Sequence, residues 1–354
     1  MLTILAPKTP SLSTRLIPRP RAPDARRHYN PEMNWPAEIL GAEARIRPHI
    51  VETPLERSHH LSSVGEANVY LKLENLQHTG SFKIRGATNK LLSLSAQELK
   101  HGVVAASTGN HGMAVSSAAS RQNASATIYM ANGVAEEKIS LIESFGGRPV
   151  LYGSNPVDAE CKARQVANES GRPFVSPYND ANVIAGQGTT GVELHRQNPN
   201  LDAVFVAVGG GGLISGIGCY LKAVSPKVKI VACWPQNSRV MHESMLAGRA
   251  VEIAEQPTIS DSTAGGVEEG AITIDLCRRV VDDSIFVSEE EICSAMRLVM
   301  DKERWLIEGA AAVPVAAYLK HRQSYAGQNV ALVICGRNIP LKKLEKIFKV
   351  AAAA

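Results

Sequence analysis

From Trp35 onward, short apolar runs alternate with longer, helix-patterned stretches, and this rhythm constrains the fold more than any other feature. Val69–Leu73, Val103–Ala106, Ala126–Met130, Pro149–Tyr152, Ala203–Val208, Lys229–Cys233 and Val330–Cys335 read as strands. Between them, helical patterns run from Pro36 to about Arg47 and over Ser81–Leu94, His111–Ala119, Glu136–Phe145, Val157–Glu169, Leu213–Ala223, Glu289–Lys302 and Glu308–Leu319. Apolar strands interleaved with helices imply parallel sheets covered on both faces. A chain of 354 residues holds too much for one such sheet. The expectation is an α/β protein of two open parallel-sheet domains with a cleft between them: a large domain from 33–101 and 180–350, and a small one over 102–179. No solenoid-type repeat interrupts the pattern.

Charge and composition exclude several classes. Hydrophobic residues make up 44% and charged residues 20%, ordinary for a globular enzyme, and no apolar run reaches the length needed to span a bilayer. The net charge of +4 has a local source: residues 1–30 alone carry +5, which leaves the remainder at −1. With no basic surface, nucleic acid is not an expected partner. The six cysteines show no CxxC or zinc-type spacing and the ten histidines no HExxH pairing, so the reading is a reducing, cytoplasmic setting without a motif-borne metal. Residues 1–32 are rich in Pro and Arg and lack periodicity. They read as a disordered extension or a start placed ahead of Met33, in preference to a transit segment.

Four segments carry chemistry. In Gly80-Ser81-Phe82-Lys83-Ile84-Arg85-Gly86-Ala87 a lysine sits between glycines that let backbone approach a ligand. Most lysines are solvated surface charges, but one desolvated here would have its lone pair freed for covalent attachment to a carbonyl. Gly209-Gly210-Gly211-Gly212 follows an apolar strand and opens a helix, so consecutive N–H groups can converge on one anion. A tight turn alone needs fewer glycines, and the run is neither a Walker A loop nor a clean GxGxxG. Ser107-Thr108-Gly109-Asn110-His111-Gly112 offers more hydroxyl and amide groups at a helix start than an N-cap requires, which suits a carboxylate. Ile334-Cys335-Gly336-Arg337-Asn338 ends the last strand, where ligands gather in open α/β sheets, although a buried structural thiol fits Cys335 nearly as well. Glu308, opening a helix before Gly309, is a further candidate that could equally serve the helix dipole.

In that order GSFKIRGA, STGNHG, VGGGGL and ICGRN resemble the fold-type II (tryptophan synthase β-like) pyridoxal-phosphate enzymes, specifically the threonine/serine dehydratase and serine racemase group. The resemblance runs from about Pro36 to Leu344 and includes Thr53-Pro54-Leu55, Leu73–Gln77, Gly186–Thr189 and Ser262–Gly270. It implies pyridoxal 5′-phosphate in the interdomain cleft, attached to Lys83, with Phe82 against its ring. Gly209, Gly210, Gly211, Gly212 and Leu213 would hold the phosphate, Asn110 would contact the 3′-oxygen, and Glu308 and Cys335 would border the ring. Cys335 would be a neutral partner of the pyridine nitrogen, favouring prompt expulsion of a β-leaving group. Ser107, Thr108, Asn110 and His111 would bind the substrate carboxylate. The implied reaction is elimination of water from a β-hydroxy amino acid, with Lys83 as base and the hydroxyl protonated from the phosphate side, giving a 2-oxo acid and ammonia. A homodimer is the oligomer the resemblance suggests.

Two departures sharpen that expectation. Where metal-binding relatives end a strand in Glu-Pro this chain has Trp234-Pro235, and Val240 replaces a second acid. Neither offers the hard oxygen ligands Mg²⁺ or Ca²⁺ require, so no metal is expected there. Thr108 stands where the racemase uses a serine, which disfavours racemisation without removing the hydroxyl. The STGNHG and ICGRN variants are most similar to the dehydratase of hydroxyectoine utilisation, which would make the substrate a hydroxylated diamino acid. The lack of a regulatory segment after about Ile347 speaks against a feedback-controlled deaminase. Alternatives are an amino acid racemase, a β-replacement enzyme, or a pyridoxal-phosphate-binding homologue without turnover.

Overall fold

The computed structural model describes residues 32–351; apart from Glu32, the expected N-terminal extension lies outside them. Nine strands are described: β1 (Leu55–Arg57), β2 (Asn68–Lys72), β3 (Val103–Ala106), β4 (Ala126–Met130), β5 (Arg148–Leu151), β6 (Ala203–Ala207), β7 (Lys229–Pro235), β8 (Asp283–Val287) and β9 (Asn329–Val333). Six form a sheet in the order β1-β2-β9-β6-β7-β8, and three form a second in the order β3-β4-β5. Every pairing is parallel except β1 with β2. Every residue of β6, Ala-Val-Phe-Val-Ala, is buried, as befits a central parallel strand with helices on both faces. β5, which pairs only with β4, instead exposes Arg148 and Leu151.

The alternation is therefore present as expected, with three differences beyond four unanticipated short helices, His59–Gly65, Ala96–His101, Val240–Ala247 and Ile272–Val280. β1 and β8 were not anticipated: β1 has only three residues and β8 begins Asp283-Ser284, so neither shows an apolar run. The stretch read as one helix over Glu289–Lys302 is α-helical only to Leu298, then widens into a π-turn over Val299–Glu303 that ends at Arg304 with φ 62°. The third difference is a helix over Ala181–Gln197, capped by the Asp180 side chain, that the periodicity gave no reason to expect. Three glycines and two threonines weaken its intrinsic propensity, but tertiary packing overrides it. A Cβ on Gly186 would lie 2.7 Å from the Arg85 carbonyl oxygen, and one on Gly216 would lie 2.5 Å from the Gly188 nitrogen. The glycines thus let this helix meet those over Lys83–Leu92 and Gly212–Val224 almost backbone to backbone.

That contact encloses a charged network. Arg85 donates to Glu74 through Nε and Nη2 (both 2.7 Å) and to Glu193 through Nη1 (2.8 Å) and Nη2 (2.7 Å). Lys72 donates to Glu193, to the Thr53 carbonyl (2.7 Å) and to Gln197 (3.0 Å). All four charged side chains are fully buried, so the pairing compensates their desolvation.

Trp234 is also fully buried, against Phe286 and the His242 ring, and Val240 lies in the core. Among the described residues no group of three or more His, Cys, Asp or Glu is placed to hold a metal, and no helix is long and apolar enough to cross a membrane.

Candidate active site

Backbone pairing, more than the side chain, places Lys83. Ser81 forms an isolated antiparallel bridge with Gly336, Phe82 N–H donates to the Cys335 carbonyl (3.1 Å), and Arg337 N–H donates to the Gly80 carbonyl (2.9 Å). Gly80, at φ +73°, makes the bend. Lys83 is thereby fixed just beyond the end of β9 as the first residue of its helix. Its Nζ donates to the Pro177 carbonyl (2.8 Å) and lies 5.2 Å from the centroid of the Phe82 ring. Among the described residues no carboxylate is within ion-pair distance of it. Burial pulls the Lys83 pKa down to about 8, with Cys335 and Glu308 opposing the shift.

All the sequence-selected residues line one cavity of about 250 Å³: Phe82, Lys83, Ser107, Thr108, Asn110, His111, the four glycines 209–212, Leu213, Glu308 and Cys335. The glycines form the turn from β6 into the helix Gly212–Val224. None of their N–H groups donates to a protein acceptor among the described residues, so four consecutive donors stand ready at the cavity wall. Side chains would not fit: a Cβ on Gly210 would lie 2.4 Å from the Tyr178 ring and one on Gly211, at φ +82°, 2.8 Å from Cys277 Sγ. This cradle, the enclosed lysine amine and the cavity together fit pyridoxal phosphate.

At the opposite wall β3 leads into the helix Asn110–Arg121, and Ser107 Oγ accepts from Gly109 N–H (3.2 Å) to shape the loop. Asn110 Nδ2 donates to both oxygens of Glu308 (3.0 Å each), and its Oδ1 accepts from Asn338 Nδ2 (2.6 Å). The Asn338 backbone N–H also reaches Glu308 (3.1 Å). Burial raises the Glu308 pKa against these hydrogen bonds. His111 Nε2 meets the Val175 carbonyl at 2.8 Å, which assigns the proton to that nitrogen. Burial and the nearby Lys83 drive the His111 pKa down to about 3, so the ring is neutral and its Nδ1 is an acceptor. Burial pushes the Cys335 thiol well above its usual range, so it is a neutral thiol.

Sequence reasoning missed Lys138, Pro177, Tyr178 and Asp261, and gave no site role to Ser262 and Thr263 within the Ser262–Gly270 stretch; all six also line the cavity. Tyr178 carries a partial signal in its setting, Pro177-Tyr178-Asn179-Asp180 ahead of the unanticipated helix. Its hydroxyl accepts from Glu268 N–H (2.9 Å), tying the glycine turn to the Ser262–Gly270 stretch. Lys138 lies in an ordinary charged helix start and carries no signal at all.

Comparison with known proteins agrees with this geometry. Residues 46–336 match the family described as pyridoxal-phosphate dependent enzyme. The chain is 40% identical to the L-threonine ammonia-lyase of Thermotoga maritima over 88% of its length and 77% of the relative's. It is 38% identical to a catabolic L-threonine dehydratase of Staphylococcus aureus, covering 88% of this chain and 91% of that one. Among solved structures, the processed form of threonine deaminase isoform 2 from Solanum lycopersicum superposes with a TM-score of 0.86 at 31% identity, over 96% of this chain and 99% of that one. Maize serine racemase gives 0.83 at 30% identity, over 90% and 98%.

Proposed function

The chain belongs to the pyridoxal-phosphate dependent enzymes and is an ammonia-lyase that uses this cofactor; from that premise we propose that it removes water from L-threonine or L-serine, releasing a 2-oxo acid and ammonia. The observation that carries the reading is the meeting, in one cavity, of a lysine with a lowered pKa, an N–H cradle for a phosphate and a hydroxyl-rich helix start for a carboxylate.

Bound pyridoxal phosphate supplies the carbonyl that condenses with the substrate amine and the conjugated ring that accepts electron density. Lys83 holds the cofactor, and the N–H groups of Gly209, Gly210, Gly211 and Gly212 hold its phosphate, with Leu213 beside them. Phe82 and the neutral thiol of Cys335 line the cavity where the ring would lie, the thiol offering a neutral partner for its nitrogen. Ser107, Thr108 and the free N–H groups at the start of the Asn110 helix would orient the substrate carboxylate; the His111 ring, expected to bind it, has only an acceptor Nδ1 to offer, so His111 would contribute through its backbone N–H. With its amine free, Lys83 Nζ would be the base placed to take the proton from Cα, and a pKa near 8 is matched to that transfer at neutral pH. Asn110, clamped between Glu308 and Asn338, lines the cavity in a fixed orientation.

The STGNHG and ICGRN variants support a hydroxylated diamino acid of the hydroxyectoine type as a further substrate. Thr108, whose hydroxyl has no protein partner among the described residues, keeps amino acid racemisation as a second reading, disfavoured by the threonine methyl. We further take residues 102–179 as the smaller of two domains that flank the cleft, and the protein as a cytoplasmic homodimer. The deciding experiment measures 2-oxo acid and ammonia from L-threonine, L-serine, 3-hydroxyaspartate and a hydroxylated diaminobutyrate, beside Lys83→Ala. Turnover lost in the variant supports elimination. Formation of a D-isomer without 2-oxo acid would establish the racemase instead.

A further inference from the structure

Lys138 is the cavity's uncompensated charge. It is the third residue of the helix Glu136–Ser144, half-buried, and lines the cavity. Among the described residues it makes no hydrogen bond through its ammonium and no ion pair within 4.0 Å. The acids at the cavity are already engaged: Glu308 accepts from Asn110 and Asn338, and Asp261 pairs with Lys343 at 2.6 Å. His111 is neutral, and Lys83 is committed to the cofactor.

Helix packing indicates where the Lys138 charge points. A Cβ on Gly112 would lie 2.7 Å from Ile142 Cδ1, so the helix Asn110–Arg121 touches its neighbour at that level. Ile142 is four residues after Lys138, hence on the same face one turn later. The two helices follow the parallel strands β3 and β4 and so run in the same sense. One turn back from Ile142 is therefore one turn back from Gly112, which is the loop Ser107–Gly109, about 5 Å away along the axis.

We propose that Lys138 is the ionic partner of the substrate's α-carboxylate. This rests on the reading that the substrate is an α-amino acid. The helix start and its hydroxyls offer partial charges only, whereas a carboxylate drawn out of water is held best by a full opposite charge that also donates a hydrogen bond. Lys138 thereby selects a free α-carboxylate over an amide or ester and leaves the side-chain end of the cavity uncharged.

The test titrates the holoenzyme with L-alanine and with L-alaninamide, which keep the amino group but lack the β-hydroxyl, following the visible absorbance of the bound cofactor. Lys138→Ala weakens L-alanine about tenfold or more and L-alaninamide less than about twofold, while Lys138→Arg recovers most of the loss. Equal weakening of both ligands, or of neither, overturns the proposal. In turnover, KM for L-serine and L-threonine rises together in Lys138→Ala; a loss confined to 3-hydroxyaspartate would overturn it in favour of a side-chain carboxylate. If L-alanine binds and no β-hydroxy amino acid is consumed, elimination fails as the function while the two titrations still decide the role of Lys138.

Discussion

Two lysines eleven residues apart are enclosed by the same protein and put to opposite uses. Lys72 has all three ammonium hydrogens satisfied, by Glu193, the Thr53 carbonyl and Gln197. Lys83 has one partner, the Pro177 carbonyl, and a cavity in front of it. Burial lowers the pKa of both, but at Lys72 the paired carboxylate of Glu193 and that of Glu74 act against the shift, whereas at Lys83 the opposing groups are Cys335 and Glu308, neither of which pairs with it. Burial alone does not make a lysine reactive. Enclosure without a paired carboxylate, open on one side to a ligand, does.

The largest effect expected from this contrast is on catalysis. Lys83→Ala should lower kcat by about a thousandfold or more and leave the unfolding midpoint near that of the parent, since no ion pair is broken. Lys72→Met should do the reverse. Removing one member of the buried network costs about 3–5 kcal/mol in denaturant unfolding, while the protein that remains folded keeps its kcat. A Lys72→Met enzyme that is stable but inactive would erase the distinction.

Next in size is the acid side of the stability curve, set by the third buried base. The His111 pKa is lower in the folded chain, about 3, than in the unfolded one, so between those values the unfolded state binds more protons. Stability is fully present above about pH 6.5 and falls as pH drops toward 3; at pH 5 the loss from this group is about 2 kcal/mol. His111→Asn should flatten that part of the curve in urea melts between pH 7 and pH 5, and an unchanged slope would remove His111 from it. The smallest effect concerns loading. With Lys83 near 8, the neutral amine fraction rises with pH, so reconstitution of the apoprotein with pyridoxal phosphate should quicken about tenfold from pH 7 to pH 9 and then level off. A lysine with a normal pKa would keep accelerating beyond pH 9.

The same contrast explains what could be read from the sequence. The residues around Lys83 announce themselves because each contact is made by a contiguous motif: a glycine run after a strand, hydroxyls at a helix start, a lysine between glycines. The network around Lys72 does not. Glu193 lies 121 positions from Lys72 and 108 from Arg85, on a helix whose glycines make no sense as helix until the close approach to Arg85 and Gly216 is known. Lys138 was missed for a related reason, since its meaning lies in the absence of a partner. β1 and β8 were too short or too polar at the start to show a period.

The position of β9 has a consequence for biosynthesis. It is the last of the described strands in chain order, yet it sits between β2 and β6 in the larger sheet. The three-stranded sheet draws on one continuous stretch and can assemble while translation continues, but a nascent chain that ends before Asn329 leaves two inner strand edges unpaired. Because Phe82 is hydrogen-bonded to Cys335, just past β9, Lys83 also reaches its working position only at that late step. A prematurely terminated polypeptide is thus both sticky and chemically inert, and cofactor capture reports that synthesis has gone past the final strand.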